Sequence, residues 1–165
     1  MDNNLDESVL PTVHFHIDKG NLEAMRQVAS MMAQCGFSEA VGEADKTISR
    51  ANALSQRFIQ NAGAKEIDEA QRIESSLVGH SKSGYIPTGN LQGSIKAKFS
   101  DNGMTVDVRP TATTKGKNGL GYYGQYVEFG TYKMAPEPYM KPSGEKVSEQ
   151  LEQDFDDLTR RVNGE

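Results

Sequence analysis

Apolar residues recur in this chain with two different periods, and the switches between them predict the order of its elements. Thr12 to Ile17 alternates, with Val13, Phe15 and Ile17 set against Thr12, His14 and His16, which predicts a short half-buried strand. The spacing of Leu22, Met25, Val28, Ala29 and Met32 predicts a helix over 21–34, capped by Asp18 or Asn21 and stopped at Gly36. Ala40, Val41, Ala44, Ile48, Ala51, Leu54 and Phe58, then Ile67, Ala70, Ile73 and Leu77, keep helical spacing over 38–78. Gly63 leaves open whether this is one helix or two. Period two returns in Ile95–Ser100 and Met104–Arg109, joined through Asn102-Gly103, a pair suited to a type I′ hairpin turn because both residues tolerate positive φ. One face of this hairpin is apolar and the other charged, so its sheet is expected to be covered on one side only. Residues 110–121 read as a mobile loop.

Tyr122–Pro142 is built unlike the rest, holding five of the six tyrosines and three of the six prolines. Tyr122–Phe129 is expected to be a strand broken at Gly130. Pro136, Pro138 and Pro142 then stiffen an extended strap that carries Met134, Tyr139 and Met140 toward burial. From about Ser143, Val147, Leu151, Phe155, Leu158 and Val162 mark an amphipathic helix with an acidic outer face. The expected class is α+β: a small antiparallel sheet with a one-sided helical cover, a helical N-terminal half and an amphipathic C-terminal helix. Residues 1–11 read as a flexible acidic arm, and 12–165 as a single domain.

Charge refines this picture. The net charge of −5 argues against nucleic-acid binding by bulk electrostatics. Yet 96–117 carries five basic and two acidic residues, whereas 145–165 carries seven acidic and three basic. The single cysteine, Cys35, excludes an intrachain disulfide. No apolar run approaches the ~20 residues that span a bilayer, so membrane association is not expected, nor is a signal peptide. His14 and His16 share a strand face but lack a nearby third ligand, and read as exposed histidines rather than a metal site. No nucleophile elbow, zinc motif, Walker loop or dinucleotide fingerprint is present, so neither a catalytic residue nor a cofactor is assigned. Glu128, inside the aromatic segment, is expected to pair with a lysine or arginine of its own chain or a neighbour, the alternative being a buried acid with a raised pKa.

Three short motifs occur in a fixed order: Thr88-Gly89-Asn90-Leu91 with Ser94-Ile95; Tyr126-Val127-Glu128-Phe129-Gly130-Thr131; and Pro136-Glu137-Pro138-Tyr139-Met140-Lys141-Pro142. In this order they resemble the tailed-bacteriophage neck and tail-completion proteins, the head–tail joining group related to minor tail protein Z of lambda-like phages. Tyr139-Met140-Lys141 stands where Phe, Leu and Arg are commoner in that family, and Ser143 replaces the usual Ala. The resemblance implies a structural virion protein, not an enzyme. It would be made in the host bacterial cytoplasm and form a ring, of six sister copies on this reading, at the head–tail junction. Its partners would be the adjacent head-closure or connector ring and the tail-terminator or tail-tube proteins. Thr88, Leu91, Tyr126, Glu128, Phe129, Thr131, Pro138, Tyr139 and Lys141 become interface or strap-docking candidates. Lys115 and Lys117 become contacts to the DNA channel or the next ring. The alternative is a small nucleic-acid-binding domain that uses the basic hairpin and loop 96–117.

Overall fold

The computed structural model describes residues 6–77, 88–116 and 119–163. The chain is assembled along one helix, α2 (Ser38–Leu77), whose 40 residues run about 60 Å. Ile48, Ala51, Ser55, Ile59, Ala62, Gly63, Glu66, Ala70 and Glu74 are its buried positions. Apart from the adjacent pair Ala62 and Gly63, their spacings of three and four keep one stripe facing the core from Ile48 to Glu74. Residues 38–77 thus form a single helix. Gly63 does not end it, because the helix crosses the sheet there and the missing side chain admits the approach. A Cβ at this position would lie 3.0 Å from Val106 Cγ2.

The main sheet is antiparallel, in the order β1 (Val13–His16), β3 (Thr105–Pro110), β2 (Ile95–Ser100). Met104, Val106, Val108 and Ile95 face α2 and are buried, while His14, His16, Lys96 and Lys98 point outward, giving the expected one-sided cover. The β2–β3 turn has the expected geometry. Asn102 (φ 53°) and Gly103 (φ 79°) lie in the left-handed region, and Met104 N–H donates to Asp101 O at 3.1 Å. Asp101 (φ 55°) joins them, so the ladder closes one pair further back, at Ser100 and Thr105.

Helix α1 (Gly20–Gln34) pairs with the first part of α2. Of its predicted stripe only Ala29 is buried; Met25, Val28 and Met32 stay exposed, as do Met31 and Phe37. Helix α5 (Met140–Asn163) lies along α2 and touches β1, where Gly144 fits against Val13. It begins three residues before the expected Ser143, for a reason that lies in α4.

Three expectations are corrected. Residues 113–116 and 119–121 are not loop: with Tyr122, already expected to be strand, they form a second antiparallel pair, β4 (Thr113–Gly116) with β5 (Gly119–Tyr122). Residues 124–129 are not strand but helix α4 (Gly124–Phe129). The end of the N-terminal arm is docked: Glu7–Val9 forms a 3₁₀ turn, Leu10 and Pro11 are buried, and Glu7 pairs with Arg109 at 2.6 Å. No described helix is long and apolar enough to cross a membrane.

Candidate functional site: the motif strap and its aromatic face

The three motifs, far apart in sequence, meet in one place. Leu91 and Ile95 from the first, Val127 from the second, and Tyr139 and Met140 from the third share a single buried cluster. In the first motif, Gly89 (φ 79°) turns the chain into the one-turn helix α3 (Asn90–Ser94), which pushes Leu91 inward. No helix was expected after this loop. Gly124 marks the meeting point: a Cβ there would come within 2.8 Å of Pro110 and of the Tyr139 hydroxyl, and 3.1 Å of Leu91. The Tyr139 hydroxyl donates to Gly124 O at 3.4 Å.

Within α4, Gly124, Val127 and Glu128 occupy one face and are buried. Among the described residues Glu128 makes no ion pair, so its own chain does not supply the expected lysine or arginine there. Its Oε2 accepts from the backbone N–H of Tyr139 (2.8 Å) and Met140 (2.9 Å), and its Oε1 from that of Lys141 (2.9 Å). These are donors that the start of a helix leaves without intrahelical partners. The next residue, Pro142, has no N–H to satisfy. Ser143 N–H then makes the first bond of the helical ladder, to Tyr139 O at 3.3 Å. One carboxylate therefore sets where α5 begins, and negative charge there complements the helix dipole.

Between α4 and α5 the strap is held by its backbone. Gly130 (φ 73°) reverses the chain, and a Cβ on it would sit 2.7 Å from both Met134 O and Pro136 N. Thr131 and Met134 exchange N–H···O bonds of 2.8 and 3.2 Å, and Glu137 N–H donates to Val127 O at 2.8 Å. The remaining aromatic residues point outward: Tyr126 is 46% exposed, Phe129 66% and Tyr132 93%. Tyr126 and Phe129, three apart, share the outer face of α4. Thr131, Lys133, Pro138 and Lys141 are exposed around them.

The candidate residues thus divide. Thr88, Tyr126, Phe129, Thr131, Pro138 and Lys141 are at the surface. Leu91, Glu128 and Tyr139 are interior; Glu128 and Tyr139 dock the strap within the subunit instead of facing a neighbour. Lys115 is exposed on β4, and Lys117 lies outside the described residues. His14 and His16 have ring centroids 5.4 Å apart, and His14 Nδ1 lies 2.6 Å from Asp107 Oδ1. Among the described residues no three metal-ligating side chains gather.

Glu66 belongs to none of the sequence motifs. It is fully buried where α5 crosses α2, and burial pushes its carboxyl up to about 7 against the pull of a Ser143 hydrogen bond. Its neighbour Glu69 goes the other way, held at about 2 by hydrogen bonds from Arg72 and, across to α5, Lys146. The signal for Glu66 was there: Ala62, Glu66 and Ala70 are spaced by four, so this acid occupies a core position of the stripe.

Comparison of the chain with protein-family models, curated proteins and solved structures returns no match.

Proposed function

We propose that this chain is a structural subunit of a tailed-bacteriophage virion, forming a ring at the head–tail junction with sister copies of itself. The observation that carries the reading is the division of labour inside the motifs. Their inward residues lock the strap, and this leaves three aromatic side chains at the surface, Tyr126 and Phe129 on the outer face of α4 and Tyr132 with only the Lys133 ammonium over its ring. An exposed aromatic cluster of this kind is costly unless a partner covers it, and aromatic residues dominate the energetics of protein interfaces. The half-covered stripe of α1 supports the same reading, since it is a second apolar surface that a free monomer would leave in water.

The nucleic-acid alternative has less to stand on. Arg109 is engaged by Glu7, and Asp107 sits opposite Lys98 in the sheet. The test is to incubate the purified protein with tailless heads and with free tails, and to image the products by negative stain. Rings, or decoration of either particle at its joining end, are expected. A protein that stays monomeric at high concentration and decorates neither particle overturns the proposal. Salt-sensitive DNA retention lost on Lys115→Ala with Lys117→Ala would move the function to the alternative.

A further inference from the structure

The hydroxyl of Ser143 lies between two acceptors. Its oxygen is 2.5 Å from Glu66 Oε1 and 2.7 Å from the backbone carbonyl of Met140. A serine hydroxyl has one proton to give. If Glu66 were ionised, that proton would go to the carboxylate, and the 2.7 Å approach to Met140 O would press two acceptors together. If Glu66 carries a proton, both short contacts are hydrogen bonds: the acid donates to Ser143 Oγ, and Ser143 donates to Met140 O. The second carboxyl oxygen, Oε2, is buried with no hydrogen-bond partner among the described residues. A neutral carbonyl oxygen tolerates that position far better than half of a carboxylate.

We propose that Glu66 enters the folded subunit as a neutral acid, and that losing its proton loosens the clasp of α5 on α2. The charged groups around it favour the neutral form. From α2 itself comes Glu69, with Arg72 behind it; from α5, Lys146, already engaged by Glu69 at 3.0 Å; from α4, Glu128, committed to three backbone amides. Glu69 and Glu128 both act on Glu66 as like charges. The sheet side chains that border the crossing of α2 and α5, Val106 beside Gly63 and Val13 beside Gly144, are apolar. On ionisation Ser143 must turn its proton to Glu66 and abandon Met140 O, in the first turn of α5. The inference rests on contacts within one subunit and is independent of the virion reading.

The sign follows from linkage. An acid whose carboxyl titrates near 7 when folded and near 4.5 when free holds its proton in the folded state across that window. Its contribution is fully present below about 4.5, and is lost as pH rises toward and through about 7. The experiment is urea denaturation of wild type and Glu66→Gln from about pH 4.5 to about pH 8.5. Glutamine reproduces the neutral acid, donating from its amide to Ser143. The wild-type folding constant is expected to fall by up to about tenfold per pH unit until about pH 7, whereas Glu66→Gln follows a flatter profile and is the more stable at high pH. In hydrogen exchange, the α5 amides from Gly144 to Ser148 should lose protection above neutrality in wild type only. Parallel pH profiles for the two proteins overturn the proposal. If Glu66→Gln does not fold, the carboxyl carbon of Glu66 in labelled wild type decides: titration near neutrality supports the proposal, and titration near 4.5 overturns it.

Discussion

Glu128 does the work of an N-cap residue from another helix. A usual cap sits at the helix start and satisfies one or two of its own N–H groups; here a buried carboxylate eleven to thirteen positions earlier accepts three. Glu128→Ala leaves those donors without partners in a buried setting, which should cost about 3 kcal/mol or more. Glu128→Gln keeps an acceptor oxygen but replaces the other with a donor aimed at N–H groups, so it should fall between. Chemical denaturation measures both, and a loss under about 0.5 kcal/mol for the alanine variant would mean that α5 starts without this cap. Gly130→Ala tests the turn that brings the strap round. Its φ of 73° and the 2.7 Å approach of Met134 O and Pro136 N leave no room for a methyl group. A loss of about 2 kcal/mol or more in the same assay is expected.

The helical character of α2 was readable from apolar residues at every third or fourth position, though its continuity through Gly63 was not, and α4 was not readable as helix at all. Tyr122–Phe129 is rich in aromatic residues and reads as strand by propensity. What makes 124–129 helical is tertiary: it puts Val127 into the core and Glu128 beneath α5 while Tyr126 and Phe129 stay out, a division that strict alternation cannot produce. The segment 110–121 misled for the opposite reason, since its glycines and threonines suit a loop and a tight hairpin equally. The clasp at Glu66 was legible only as an acid on an apolar stripe; its serine partner is 77 residues away. At the crossing of α2 and the sheet two effects oppose each other. Gly63→Ala should gain about 1 kcal/mol of helix propensity and lose a similar amount against Val106, 3.0 Å from the new methyl, for little net change. Gly63→Leu has no such compensation, and should lower stability by about 3 kcal/mol through overpacking. Thermal unfolding distinguishes the two, and a tolerated leucine would mean that α2 does not bear on the sheet at this point.

The two apolar surfaces lie on different elements: the α1 face forms a groove with Ala40 and Ala44 of α2, and the aromatic face belongs to α4, whose buried Glu128 acts on Glu66. Twenty-two residues of helix separate Ala44 from Glu66, about 33 Å. A subunit with two different apolar faces that far apart cannot cover one with the other, but successive copies can. A head-to-tail contact of this kind closes into a ring when its rotation allows. The proposed ring therefore predicts a specific pattern of complementation. Tyr126→Ser with Phe129→Ser and Tyr132→Ser should leave monomer stability within about 0.5 kcal/mol, because these side chains are exposed. Met25→Ser with Val28→Ser and Met32→Ser should likewise leave the α1 face soluble and the fold intact. Neither variant should form rings alone. Mixed, each supplies the face the other lacks, so sedimentation should show heterodimers that grow no further. If each face met its own kind across a two-fold axis instead, each single variant would still dimerise through its intact face and the mixture would form no heterodimer beyond that. Dimers of the single variants would thus sink the head-to-tail arrangement.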